Sequence, residues 1–541
     1  MKKDTLLKGT LILAAAALVA RALGVFQRVP LEYLLGNKGD GYYSVANNVY
    51  LLLLVIATAG IPSAISKMVS ERHALGREEE ARQVYRAALL FGGAAGIVIT
   101  LALYAMAPWL AESIIGRPGA ASAIRAIAPA LLLFPTIAMM RGYFQGRQYM
   151  MAGGLSQIVE QILRVAAAVA IAFTLYSWNK NDEWIAAGAS FGSVLGSIGA
   201  FAVMLYYAKK LRNADRQDQP NLKPAVPLAR SLIYREMLRL SVPIVLTAVT
   251  VQLMYTLDSL LVVPLTEHRW GAVTAEQWWG ILGNRAQSVA GIPVILAIAL
   301  SQSIIPVISS AHAVGDNSRV GRQSSLAIRL ALYSGLPIVL LLTIGAYSVN
   351  GALFSSAEGS GIVAMLTFGT LFQITMMVTN SILLGLGQPK KAMMHAFAGI
   401  ILKVILSFAL APWFGVYGIV AATTICFLSA MIFNIMSIQR LTELRIVGDR
   451  WPGFIATTAS LGAAVGLIQW LMLTVSVGLP DKLSFLLTSA VLGIVVAGFY
   501  PVLLVMLKVV TAEEVAIYPR PVRRLLAPVL KLRAKTFERG M

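Results

Sequence analysis

Ala20-Arg21-Ala22-Leu23-Gly24-Val25-Phe26-Gln27-Arg28 closes the first apolar run of the chain, Leu6 to Phe26. Arg21 lies inside that run and Arg28 follows about two helical turns later, so both guanidinium groups project from one face of one helix. An arginine near the centre of a membrane helix costs roughly 2.5 kcal/mol or more, and such a residue usually faces a bundle interior or a water-filled cavity. Arg28 alone is explained by snorkelling to the interface. Arg21 is too deep for that, so the stretch predicts a helix packed in a bundle rather than a lone anchor.

The rest of the chain agrees. Of its 541 residues 57% are hydrophobic and only 13% charged, with a mean hydropathy of +0.73; a soluble protein carries about 25% charged residues. The fold class expected is an all-α polytopic membrane protein. The net charge of +20 does not mark a nucleic-acid partner, because the basic residues fall in particular loops. Cys426 is the single cysteine, which excludes an internal disulfide and a thiolate metal site, so it reads as a small buried hydrophobe. Lys2, Lys3 and the apolar run imitate a signal peptide, but Arg21 interrupts it and many spans follow, so it reads as a retained first helix.

With about 20 apolar residues needed per crossing, fourteen segments qualify: 5–27, 41–66, 85–110, 122–145, 155–176, 184–208, 236–263, 285–311, 326–348, 361–386, 393–411, 415–438, 454–475 and 484–508. Basic residues crowd alternate connections: Lys2, Lys3 and Lys8; Lys67 to Arg86; Lys209 to Arg239; and the tail from Arg520 to Arg539. This alternation predicts both termini in the cytoplasm and requires an even number of spans. The segments divide into residues 1–208 with spans one to six, a linker over 209–235, residues 236–438 with spans seven to twelve, a final pair over 439–508, and a basic tail over 509–541. The linker holds Pro220, Pro224 and Pro227; the tail has the composition of an amphipathic helix on an anionic leaflet.

The two halves repeat. Ser70-Glu71-Arg72-His73-Ala74-Leu75-Gly76 aligns with Ser309-Ser310-Ala311-His312-Ala313-Val314-Gly315, and Ile162-Leu163-Arg164-Val165 with Ile401-Leu402-Lys403-Val404, both at an interval of 239 residues. A shared interval in two separate segments predicts a duplicated six-helix unit in parallel orientation.

No catalytic chemistry is expected. The sequence lacks a phosphate-binding G-x-x-x-x-G-K-[ST] loop, an H-E-x-x-H pair and a nucleophile elbow, and its four histidines are scattered, so neither an enzyme nor a metal site is read. The charges at membrane depth are Arg21, Arg28, Glu160, Arg164, Asp258, Arg285 and Lys403, with Asp40 and Arg125 near the interfaces. Glu160 and Arg164 stand four residues apart and neutralise each other on one helix. Arg285 precedes Gly291-Ile292-Pro293, where a helix can bend beside a cavity. Asp258 needs a proton, a cation or a basic partner; Lys403 is the structural partner, and a coupling site for Na+ or H+ is the functional alternative. Cationic groups outnumber carboxylates, and Arg21, Arg28 and Arg285 come from the starts of both halves, which points to an anionic substrate. An arginine pair suits a diphosphate, because the planar fork places two hydrogen bonds on phosphate oxygens at once.

Arg21-Ala22-Leu23-Gly24-Val25-Phe26-Gln27-Arg28 resembles the first-helix R-x-L-G-x-x-R pattern of lipid II flippases of the MurJ type, with one extra residue before the second arginine. Gly39-Asp40-Gly41-Tyr42-Tyr43 is similar to the opening of their second helix, and Asn284-Arg285-Ala286-Gln287-Ser288 to that of their eighth. With Ala59-Gly60-Ile61-Pro62-Ser63, the wording is nearest the Gram-positive, SpoVB-like branch of the multidrug, oligosaccharidyl-lipid and polysaccharide flippase superfamily. The resemblance implies two six-helix lobes in a V, as in MATE transporters, plus two extra C-terminal helices, in the bacterial cytoplasmic membrane. It implies an undecaprenyl-diphosphate-linked sugar as substrate, first of all lipid II for peptidoglycan synthesis. Arg21, Arg28 and Arg285 match its substrate-binding charges, and Asp40 a gate. Coupling to Na+, H+ or the membrane potential is expected, with membrane lipids as the other partner. Two departures stand out: Val29 replaces an aspartate common after the second arginine, and Lys403 stands where a sodium site would need a carboxylate. The rivals are a flippase for another polyprenyl-linked polysaccharide or spore-cortex precursor, a cation-coupled drug exporter, and a membrane-embedded glycosyltransferase or assembly scaffold.

Overall fold

The computed structural model describes residues 4–58, 60–114, 117–218, 228–354, 356–446, 448–475, 479–507 and 509–510. Among them every long element is a helix and no strand occurs. This is what an apolar solvent dictates, since a helix satisfies its backbone groups internally. Among the described residues thirteen helices are long and apolar enough to cross a membrane. The chain is an all-α, multi-pass membrane protein.

The helices in order are α1 (Leu6–Thr58), α2 (Ile61–Ala74), α3 (Glu78–Trp109), α4 (Ala120–Ile127), α5 (Ala130–Gly146), α6 (Met150–Ser177), α7 (Asp182–Asp218) and α8 (Arg230–Trp270). They continue with α9 (Ala272–Gly280), α10 (Gln287–Ala313), α11 (Asn317–Ile344), α12 (Ala346–Leu353), α13 (Ser360–Gly385), α14 (Pro389–Phe414), α15 (Val416–Gln439), α16 (Trp451–Val475) and α17 (Asp481–Met506).

The second expected span, 41–66, is not one uninterrupted helix. Its first part, through Thr58, is the continuation of the 53-residue α1. Its last part opens α2, behind Gly60 at φ 73°, with a proline in the first turn. A left-handed φ is cheap only for glycine, so the apolar run is cut at Gly60 although its composition never changes. The expected linker, 209–235, begins within α7. With no proline before Pro220, α7 stays helical to Asp218, so its end takes up the first part of 209–235. The basic tail lies outside the described residues, as do 219–227.

Helix boundaries recur at the interval found in the sequence. The ends of α2 and α5 (Ala74, Gly146) reappear as those of α10 and α13 (Ala313, Gly385), and the start of α6 (Met150) as that of α14 (Pro389). Backbone conformation recurs with them: Gly76 and Gly315 have φ 72° and 73°, and Gln148 and Gly387 have φ 62° and 75°.

The chain forms two compact units. One comprises Met1–Ala248, Gln302–Asp316 and Leu384–Gly387; the other comprises Val249–Ser301, Asn317–Leu383 and Gln388–Met541. In the first, Tyr50, Leu103, Ile124, Leu131 and Ile185 share one core, and Met68, Val84, Phe144, Met204 and Met237 another. Helices α6 and α7 approach closely at small residues: a Cβ on Gly192 would lie 2.7 Å from Ala168 and one on Gly196 2.8 Å from the Glu160 carbonyl. The repeat-related Ser70 and Ser309 meet in this unit with hydroxyls 2.6 Å apart. In the second, Val289, Val349, Leu366 and Ile419 belong to one core. The final pair packs on α11 through Tyr333, Phe454, Leu461 and Leu492.

Candidate substrate-binding and coupling residues

Arg285 sits in a π-helical turn, Ile281–Ala286, just before α10. Such a wide turn re-aims a side chain and often marks a functional position. Nη1 of Arg285 donates to the Ser356 carbonyl at 3.3 Å, the Ser356 hydroxyl at 3.1 Å and the Glu358 carbonyl at 3.1 Å. The guanidinium lies 5.7 Å from the centre of the Phe354 ring. Asn350 fixes this loop from behind, donating to the Glu358 carbonyl at 2.8 Å and the Ser360 hydroxyl at 3.2 Å. Gln287 ties the start of α10 to α8 through the Tyr255 carbonyl at 3.0 Å. The oxygens holding Arg285 are neutral, and among the described residues no carboxylate pairs with it. Among the described residues its charge is therefore positioned but not cancelled.

Arg21, Arg28 and Asp40 lie on the backbone of α1, and their side chains lie outside the described residues. Between them Gln27 is buried and donates to the Tyr43 hydroxyl at 3.0 Å.

Asp258 on α8 meets Lys403 on α14, with Nζ 2.9 Å from Oδ1 and both side chains fully buried. Thr423 on α15 donates to the same carboxylate oxygen at 2.7 Å. The ammonium also donates to the Met254 carbonyl at 2.7 Å. Of the two readings the sequence left open for Asp258, the basic partner is the one present, and its ammonium already supplies a cation beside the carboxylate. Oδ2 of Asp258 makes no hydrogen bond among the described residues.

The second deep carboxylate, Glu160, pairs with Arg164 at 2.6 Å as its spacing predicts. It is also held at 2.8 Å by Arg141 of α5, which donates to Ser156 at 2.7 Å as well. Sequence reasoning missed Arg141. The available signal was an arginine in an otherwise uncharged apolar segment, Ala130–Gly146. The cluster joins two guanidiniums to one carboxylate, so Glu160, like Asp258, is already paired with a cation.

Residues 6–312 match the polysaccharide biosynthesis protein family. The chain is 26% identical over 488 residues to the lipid II flippase MurJ of Bacillus subtilis, covering 86% of this chain and 89% of that one. It is also 26% identical over 454 residues to the stage V sporulation protein B of the same organism, covering 82% and 86%. Among solved structures, MATE in the straight conformation superposes with a TM-score of 0.67 at 14% identity, over 81% of this chain and 97% of that one. A transporter of the MOP superfamily from Pyrococcus furiosus, with a binding pocket of reverse polarity, gives 0.63 at 13% identity, over 81% and 96%. These structural likenesses establish the fold alone. With more than half its length matched, the chain belongs to the polysaccharide biosynthesis protein family.

Proposed function

We propose that the protein moves an undecaprenyl-diphosphate-linked sugar precursor from the inner to the outer leaflet of the bacterial cytoplasmic membrane by alternating access, with lipid II as the first candidate. The observation that carries this reading is Arg285: a guanidinium held by neutral oxygens keeps its charge for an anion. In this reading Arg21 and Arg28 bind the diphosphate together with Arg285, and Asp40 acts in the gate. The relative named as a lipid II flippase, aligned over most of both chains, supports the choice of substrate. A drug exporter for cations needs free deep carboxylates, whereas Asp258 is bound by Lys403 and Glu160 by two arginines. Because Lys403 supplies a cation at Asp258, we propose H+ or the membrane potential, rather than Na+, as the driving force. Both termini face the cytoplasm in this scheme.

The test is rescue of a bacterium depleted of its own lipid II flippase, with Arg21→Ala, Arg28→Ala, Arg285→Ala and Arg285→Glu at matched membrane expression. Rescue by the parent and failure of the arginine variants is the expected outcome. Rescue by Arg285→Glu removes the diphosphate clamp. A well-expressed parent that fails to rescue removes lipid II. The equal identity to a sporulation protein then directs the assay to spore-cortex and other polyprenyl-linked precursors.

A further inference from the structure

A cavity of about 660 Å³ opens in the first unit, away from every residue assigned above. Arg82, Tyr85 and Arg86 come from one face of α3, Tyr143 from α5, and Lys209, Arg212 and Asp215 from the last turns of α7. Its floor is aromatic: the Tyr85 and Tyr143 rings stack with centres 4.1 Å apart and planes 18° apart. Leu205, Ala208 and Leu211 continue the lining along α7.

The charge is one-sided. Asp215 is the single carboxylate in the lining, and it is neutralised from behind. The buried Arg147 donates to both its oxygens, at 2.5 and 2.8 Å. Burial opposes the charge on Arg147, but Asp215 and Tyr143 together outweigh it and hold its pKa above the ordinary arginine value. Arg82 leans toward Asp215 at 3.7 Å and Glu79 at 3.6 Å. That leaves Arg86, 72% exposed and 3.9 Å from Glu79, with Lys209 and Arg212, which pair with no carboxylate among the described residues. Three cations around a carboxylate already satisfied would repel one another in an empty site, and an anion relieves that repulsion. Guanidinium forks and an ammonium together suit tetrahedral phosphate oxygens. The apolar and aromatic wall suits a less polar body attached to that phosphate.

We propose that this cavity binds a phosphate group, with its oxygens on Arg86, Lys209 and Arg212 and the group that carries it against Tyr85 and Tyr143. The phosphate source is either an anionic lipid headgroup or a soluble phosphate ester, and an occupant links α3 to α7 at the end of α7 that leads into the 219–227 connection.

The experiment uses the full-length protein in detergent. Binding is followed by thermal unfolding and by native mass spectrometry with phosphatidylglycerol, phosphatidylcholine and inorganic pyrophosphate. The Lys209→Ala/Arg212→Ala double variant is compared with Arg235→Ala/Arg239→Ala, two exposed cations outside the cavity. The parent should bind phosphatidylglycerol or pyrophosphate, and the cavity variant should bind about thirty-fold more weakly, each basic residue contributing about fivefold near a membrane surface. The control pair should match the parent. Binding of phosphatidylglycerol alone assigns the lipid source, and comparable binding of pyrophosphate assigns the soluble one. Equal affinity in the cavity variant, or an equal loss in the control pair, overturns the site. Should the double variant fold poorly, Arg86→Gln replaces it, with about a fivefold loss expected from one exposed cation and none overturning the proposal. The loss caused by Lys209→Ala/Arg212→Ala should be the same in an Arg285→Ala background, which separates the cavity from the transported diphosphate.

Discussion

At the scale of single residues the buried charges decide most. Removing one member of a buried ion pair strands its partner, at a typical cost of 3–5 kcal/mol, whereas removing both is often neutral. Lys403→Met is therefore expected to destabilise the protein by about 3–5 kcal/mol, and Lys403→Met/Asp258→Asn to recover most of that loss. Thermal unfolding of the parent, both single variants and the double variant in one detergent checks this, and additive losses would show that the 2.9 Å pair is not coupled. The Glu160 cluster sharpens the contrast. Glu160→Gln leaves Arg141 and Arg164 facing each other without a counter-charge, whereas Arg141→Met leaves an intact pair, so Glu160→Gln should lower the unfolding temperature more. An equal shift from the two variants would contradict the shared-carboxylate picture. The sequence revealed Glu160 with Arg164 because four residues set one helix face. It concealed Arg141, which reaches the same carboxylate from a different helix. The supports of Arg285 were also hidden, because they are mostly backbone carbonyls and no side-chain pattern encodes them.

At the scale of elements, apolar runs foretold where helices lie better than where they stop. The final pair, α16 and α17, and the helices around the 239-residue repeat follow the expected segments closely, since hydropathy alone places them. The second expected span is divided because Gly60 redirects the backbone within it. Gly60 and Gly76 share nearly the same φ, 73° and 72°, but differ in surroundings. A Cβ on Gly60 would meet the Ser241 carbonyl at 2.8 Å, and one on Gly76 meets nothing within 4 Å. Gly76→Ala should therefore cost only the left-handed strain of about 1–2 kcal/mol. Gly60→Ala should cost that strain and a displaced contact with α8 besides. A larger drop in unfolding temperature for Gly60→Ala is the expected result; equal drops would mean that the packing at Gly60 yields freely.

At the scale of the molecule, the duplication and the loop charges make one joint claim about topology. Residues separated by 239 positions occupy equivalent turns. If the two six-helix halves are parallel, equivalent turns face the same side of the membrane. The basic residues between 67 and 86 predict that the first of these turns faces the cytoplasm. Leu75 and Val314 are one such pair, 46% and 50% exposed; Trp178, in the turn after α6, and Tyr417, in the first turn of α15, mark the opposite ends of the repeat-related helices α6 and α14 and are 66% and 40% exposed. Cys426 is fully buried, so single cysteines introduced at these positions report against a low background. With a membrane-impermeant maleimide, Leu75→Cys and Val314→Cys should react only in inverted vesicles, and Trp178→Cys and Tyr417→Cys only in intact cells. Labelling of Leu75→Cys and Val314→Cys from opposite sides would make the repeat inverted rather than parallel. Labelling of all four from the same side would remove the loop-charge orientation, and with it the assignment of the inner leaflet as the face from which the substrate enters.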